Sequence, residues 1–165
     1  MSTKEKVIIA NGSGFWGDSN LAPQNLVSGG RIDYLTFDYL AETTMSILAK
    51  QRQKDPSAGY AKDFVSVMEE ILEPVMTKGI KVIANAGGIN PEGAREAILE
   101  LARQKGYKDI AIAVVTGDNI QDRLEELHPR LPLRNMDTGE DFAPVKDKVM
   151  SANVYIGAPA MVNAL

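Results

Sequence analysis

Three short apolar runs in this chain each break into a glycine-bearing turn and then a residue able to start a helix. The stretches are VIIANGSGFWGD (7–18), IKVIANAGGINP (80–91) and AVVTGDN (113–119). Strand, glycine turn and helix N-terminus is how α/β proteins build binding sites. Glycine lets a ligand approach the backbone closely, and the free N–H groups of a first helical turn attract anions. Three such turns predict one rim and one pocket. The runs at 80–84 and 110–115 are apolar almost throughout rather than alternating, the pattern of parallel strands covered by helices on both faces. The expected fold is α/β: a three-layer, open, mostly parallel Rossmann-like sheet.

The spacing predicts strands at 6–10, 33–37, 80–84 and 109–115, with a further one across 149–156. Helices are expected over 21–27, 40–53, 91–105 and 120–127. Another is carried by Phe64, Met68, Ile71, Leu72 and Val75, with Pro74 as a kink or an early stop. Asn90 and Pro91 are the expected N-cap and first position of the helix at 91. Residues 128–148, with Pro129, Pro132, Gly139 and Pro144, read either as a plain connection or as a loop folding over the strand ends. Residues 158–165 start a helix without a stop signal, so the domain is expected to continue past Leu165.

A chain of 165 residues suits one domain, able to bury roughly 70% of its unfolded surface. It has no cysteine, which excludes disulfides, a thiol nucleophile and a thiolate metal site, and fits a reducing cytoplasm. A net charge of −4 without a basic cluster argues against a nucleic-acid partner. No apolar run approaches the ~20 residues of a membrane span, and nothing at 1–7 resembles a signal peptide.

Gly12-Ser13-Gly14-Phe15-Trp16-Gly17 matches GxGxxG, and Asp38 follows 21 residues past Gly17, which is the setting of a dinucleotide fingerprint. Phe15 and Trp16 are bulky where that turn packs small residues, and the helix begins only after Asp18-Ser19. A glycine turn for some other ligand is therefore favoured over NAD(P). If a helix begins near Tyr39, Asp38 and Glu42 share one face at i, i+4 and can do acid/base work or hold Mg²⁺. Otherwise Asp38 is a helix N-cap and Glu42 a solvated charge. Asn85, Gly87, Gly88 and Asn90 offer amides and a helix N-terminus for a carboxylate, thioester carbonyl or phosphate. An ordinary cap explains Asn90 but not Asn85. After the fourth run, Gly117 ends the strand and Asp118 either orients a substrate hydroxyl or caps a helix; Asn153 and Tyr155 are further candidates.

Other chemistries find no support. Ser13 lacks the glycines two residues to either side that a nucleophile elbow requires, because Asn11 and Phe15 stand there. A single histidine, His128, argues against a histidine zinc site, and no GxxxxGK[ST] occurs.

SGFWGD (13–18), IDYLTFDYLAETTMSILA (32–49), DPSAGYAKDF (55–64), GIKVIANAGGINPE (79–92), VVTGDN (114–119) and SANVYIGA (151–158) together resemble the N-terminal domain of the acyclic terpene utilisation AtuA family. The resemblance implies a place in the breakdown of acyclic terpenoids such as citronellol and geraniol through acyl-CoA intermediates. The combined expectation is a pocket at the strands' C-terminal ends, built from 12–18, 38–42, 85–90 and 117–118. It would serve an enzyme or enzyme subunit acting on a terpenoid or branched acyl-CoA or acid, with Asp38 as the base. The alternatives are an NAD(P)- or nucleotide-binding domain using residues 12–17, and a non-catalytic partner subunit of an acyl-CoA carboxylase-type pathway. The expected partner is a small molecule, an acyl-CoA among the candidates; self-association also fits.

Overall fold

The computed structural model describes residues 6–165. Its elements are β1 (Ile9–Ser13), α1 (Leu21–Gly29), β2 (Tyr34–Phe37), α2 (Glu42–Lys54), α3 (Lys62–Lys78), β3 (Lys81–Ala84) and α4 (Pro91–Gln104). A 3₁₀ turn (Gln121–Arg123), α5 (Leu124–Leu127), a second 3₁₀ segment (Ala143–Lys148) and α6 (Pro159–Ala164) follow.

The strands form one parallel sheet in the order β1-β2-β3. Two successive right-handed crossovers that step the same way across a sheet place their helices on the same face. Accordingly α1 packs on α3 and α3 on α4. Leu35 and Phe37, the buried side of β2, meet Val27 of α1, Phe64, Met68 and Ile71 of α3, and Ile98 and Leu101 of α4 in one core. The other side of the sheet carries Ile9, Asn11, Tyr34, Thr36, Lys81 and Ile83, which range from half-buried to exposed. The protein is thus a mixed α/β domain around a small parallel sheet. Among the described residues, no helix is long and apolar enough to cross a membrane.

β1 lies further along the chain than hydropathy places it. Ile8 gives its N–H to the Asp33 carboxylate (3.0 Å) and its carbonyl to the Asp33 and Tyr34 N–H groups, and the strand begins after it. It then runs through Gly12, read from sequence as part of a turn. A Cβ on Gly12 would sit 2.7 Å from Phe37 Cε1, so this glycine serves close packing within the strand. Pro74 neither stops nor shortens α3, which continues to Lys78 with Ile71, Leu72 and Val75 buried.

The two later strands are absent. Residues 109–115 alternate between half-buried and exposed, and Ile110 and Ile112 pack on the core, but no ladder forms. The Ile112 carbonyl accepts instead from Arg95 Nε (3.3 Å). Residues 149–156 bridge the 118–120 segment rather than the sheet, through an antiparallel Asn119–Asn153 pair. The loop at 128–148 bonds within itself and to α5: the backbones of Arg134 and Asp141 form an isolated antiparallel bridge, Lys146 meets Glu125 (2.9 Å), and His128 meets Asp141 (3.2 Å). These contacts make it a local connection.

Asn90 and Pro91 open α4 as expected. The Asn90 side chain is buried, accepts from the Gly93 N–H (3.2 Å), and donates to the Ser57 and Ala58 carbonyls (3.2 and 2.9 Å). It therefore caps α4 and clamps the 57–58 loop with one amide. Asn90→Ala removes the cap and leaves a buried carbonyl unmet, an expected loss of about 2–3 kcal/mol. Urea unfolding should show it as a lowered midpoint at unchanged slope; a loss within ±0.5 kcal/mol would show that the clamp carries no weight.

Candidate functional site

Because the strands are parallel, Ser13, Phe37 and Ala84 end at the same edge of the sheet, and the turns after them share one rim. Gly14 and Gly87 lie at that common edge, as the sequence reading requires. Backbone and side chains link the three turns. The Asp38 N–H donates to the Ser13 carbonyl (3.0 Å). Asn85 Oδ1 accepts the Tyr39 N–H (2.7 Å), and Asn85 Nδ2 donates to Asp38 Oδ1 (2.7 Å). Only one orientation of the amide satisfies both partners, because the Tyr39 N–H needs an oxygen and the carboxylate needs a donor. This explains Asn85, for which a cap gives no role.

Asp38 is not the N-cap of α2, and it shares no helical face with Glu42. The helix begins at Glu42, with Ala41 in extended conformation before it. The β2 ladder and the Asn85 bond hold Asp38 outside the helix, so the i, i+4 geometry does not arise. Glu42 is an exposed first-turn residue of α2.

In the first turn, Asp18 turns back on the backbone. Its carboxylate accepts the Gly14 N–H (2.9 Å) and the Ser19 N–H (2.8 Å), which lowers its pKa, Gly14 contributing most. Trp16 packs on the core and donates its indole Nε1–H to Asp63 Oδ1 (2.7 Å) in the first turn of α3. In the third turn, the N–H groups of Gly88, Ile89 and Asn90 go to Asn85, Gly59 and Gly87 carbonyls. Gly88 has φ +53°, and a Cβ there would meet Leu48 Cδ1 at 2.4 Å and the Gly59 carbonyl at 2.7 Å. These bonds shape the turn around α2, and they consume donors that the sequence reading offered to a ligand.

Two residues of the rim were given no role by the sequence reading: Tyr39, inside the expected 38–42 stretch, and Asp63, outside it. Tyr39 is buried beneath the rim, stacked edge-on against Phe64 (centroids 5.7 Å apart, 74°). Burial first, then the Asp63 carboxylate, push its phenol up to about 12, with the Ser13 hydroxyl acting the other way and Asp18 adding a smaller push upward. Position was the available signal: Tyr39 directly follows Asp38, but an acid in the first turn of a helix, as at Asp63, reads as a dipole partner.

The remaining candidates lie elsewhere. Asp118 accepts from Asn153 Nδ2 (2.8 Å), a pair formed by the 118–120 and 152–154 bridge. Gly117 turns the chain there at φ +111°, Gly17 ends the first turn at φ +89°, and Tyr155 is fully exposed. Among the described residues, no group of three or more His, Asp or Glu side chains gathers to hold a metal ion.

A parallel sheet with a bonded carboxylate–amide pair along its carboxyl edge defines a mixed α/β domain whose polar groups gather at one rim. The chain belongs to the AtuA family, described as acyclic terpene utilisation family protein AtuA, whose family model matches residues 7–165. No curated protein and no solved structure matches it.

Tyr39 gives the rim a pH signature. From pH 10 to about 12 the unfolded chain releases this proton while the folded chain keeps it, so stability should fall as pH rises through that window. Ultraviolet titration of the wild type minus Tyr39→Phe should place the phenol near 12. Asp63→Asn should lower that value while burial keeps it above 10, the ordinary tyrosine value. An unchanged midpoint would remove Asp63 from the site's electrostatics.

Proposed function

We propose that the rim binds a small molecule, and that the domain works as an enzyme or enzyme subunit in the breakdown of acyclic terpenoid or branched acyl-CoA or acid compounds. In this reading Asp38 is the general base. The observation that carries it is the Asp38–Asn85–Tyr39 arrangement. Asn85 holds Asp38 Oδ1 while its own orientation is locked by a backbone N–H. Among the described residues nothing donates to the other carboxylate oxygen of this exposed residue. A carboxylate fixed at one oxygen and open at the other is suited to take a proton from a bound substrate. Asn85 is then a positioning residue, its amide fully used within the protein. Family membership supports the terpenoid assignment. A Rossmann-like reading of the open parallel sheet supports a ligand at this rim, because ligands of such sheets bind outside the strands' carboxyl ends.

The dinucleotide alternative fares worse on geometry. A pyrophosphate needs the glycine-turn N–H groups, yet Asp18 already occupies those of Gly14 and Ser19 and brings a negative charge. The next helix starts only at Leu21, and Gly12 is packed within a strand.

Asp38→Asn is the discriminating variant. It removes the base while keeping size and shape, so folding should persist and turnover of a branched acyl-CoA should fall by roughly 10²–10⁴-fold. Wild-type turnover in Asp38→Asn would remove Asp38 from catalysis, whereas no turnover by the wild type itself would favour the non-catalytic partner subunit. Ligand class is read separately: CoA thioesters of branched acids should raise the melting temperature. NADH should leave Trp16 fluorescence unchanged, and micromolar quenching by NADH would reverse the ranking.

A further inference from the structure

The stretch that ends at Leu165 is apolar, uncharged and uncovered at once. From Val149 to Leu165 no side chain carries a charge. The antiparallel bridge ties its start to the body, with the Ile120 N–H on the Ala152 carbonyl (2.9 Å) and the Val154 N–H on the Asp118 carbonyl (2.8 Å). Beyond that bridge the chain loses its cover. Tyr155 is 100% exposed, Val162 68% and Leu165 50%, and Val154, Ile156 and Met161 are exposed as well. α6 has no buried residue.

Such an arm needs a partner. A helix of 6 residues is too short to persist in water by itself, and helices of this kind are held by packing of an apolar face. Met161, Val162 and Leu165 fall at i, i+1 and i+4, on one side of α6, and all three are exposed. The six large side chains of the arm together expose roughly 500 Å², the upper end of the largest apolar patch on a typical monomer.

Charge decides which partner fits. A two-fold contact sets one patch against its own copy, so a charged patch repels itself and an uncharged one does not. The chain carries a net charge of −4, and two copies approach with least repulsion on their uncharged arms. Two such patches bury roughly 1,000 Å², the size a specific but weak dimer requires. The open side of the sheet suits this less, because Lys81 and the Thr36–Asn11 hydrogen bond (3.0 Å) stand on it.

We infer that the arm is a homodimer interface: residues 154–165 of one copy pack on the same residues of a second copy about a two-fold axis, α6 against α6. The inference stands without the Asp38 reading.

Sedimentation equilibrium of the whole chain should show a reversible monomer–dimer equilibrium with a Kd of roughly micromolar order, as interfaces of this size give. Val162→Asp sets like charges across the axis and should weaken the dimer roughly tenfold or more, and Val162→Lys should do the same. A one-to-one mixture of these two variants should recover a mixed dimer, because opposite charges then meet. Tyr155→Ser should also weaken association. Since both positions are exposed in the single chain, every variant should keep the wild-type far-ultraviolet circular dichroism. Met136→Ser, at a position 99% exposed but outside the arm, should dimerise like the wild type.

A monomer at every concentration would overturn the dimer, and its co-flotation with phosphatidylcholine vesicles would give the arm to a lipid surface instead. Growth past the dimer would mean a head-to-tail contact in place of the two-fold one. A dimer untouched by Val162→Asp and by Tyr155→Ser would move the interface off the arm. A mixture of the two charged variants that stays monomeric would overturn the pairing of α6 with α6.

Discussion

β2 is the strand on which the structure depends. It is four residues long, yet it bonds to β1 on one side and to β3 on the other. Its inward residues, Leu35 and Phe37, are buried in the core. Phe37 in turn covers Gly12 of β1 and packs edge-on against Phe64 of α3 (5.2 Å, 72°). A strand buried against both neighbours has a single workable register, because a slip of one residue would turn Leu35 and Phe37 away from the helices. That register also decides which backbone groups reach the carboxyl edge, so the core and the rim share one constraint.

The rim inherits its rigidity from this arrangement. Asp38 follows Phe37 immediately, and its N–H continues the pairing with β1 through the Ser13 carbonyl. Asn85 follows Ala84 and reaches across to the Tyr39 N–H and the Asp38 carboxylate. A carboxylate on the end of a strand is placed more precisely than one on a free loop. Trp16 and Asp63 add a tie between the first turn and α3. Much of the polarity that looks available for a ligand in the turns is spent on such ties. The Asp18 carboxylate fills the glycine turn, and three successive N–H groups close the turn before α4. The chemistry left exposed is narrower than the list of polar residues suggests.

Local signals explain what was legible in the residues alone. Asn90 followed by Pro91 favours a helix start from local geometry alone, and the apolar spacing of Phe64, Met68, Ile71 and Leu72 makes α3 amphipathic wherever it lies. The three strands that formed are short apolar runs between helices, and their parallel pairing follows from the crossovers between them. The glycine turns at one edge follow from that pairing. Family membership was legible for the same reason: the motifs are local strings of residues.

Tertiary structure decided what local pattern leaves open. Residues 109–115 carry a strand's apolar composition, but a strand exists only when a neighbour accepts its ladder, and here Arg95 takes the Ile112 carbonyl. Gly12 looks like a turn residue until Phe37 lies across it. Asp38 and Glu42 fall at helical spacing, but pairing of β2 holds Asp38 in the sheet and α2 starts after it. Asn85 bonds to residues 46 and 47 positions away, and Trp16 to one 47 away. Composition and periodicity describe what a residue prefers near its neighbours; the partners of Asn85 and Trp16 are set only when distant segments are brought together.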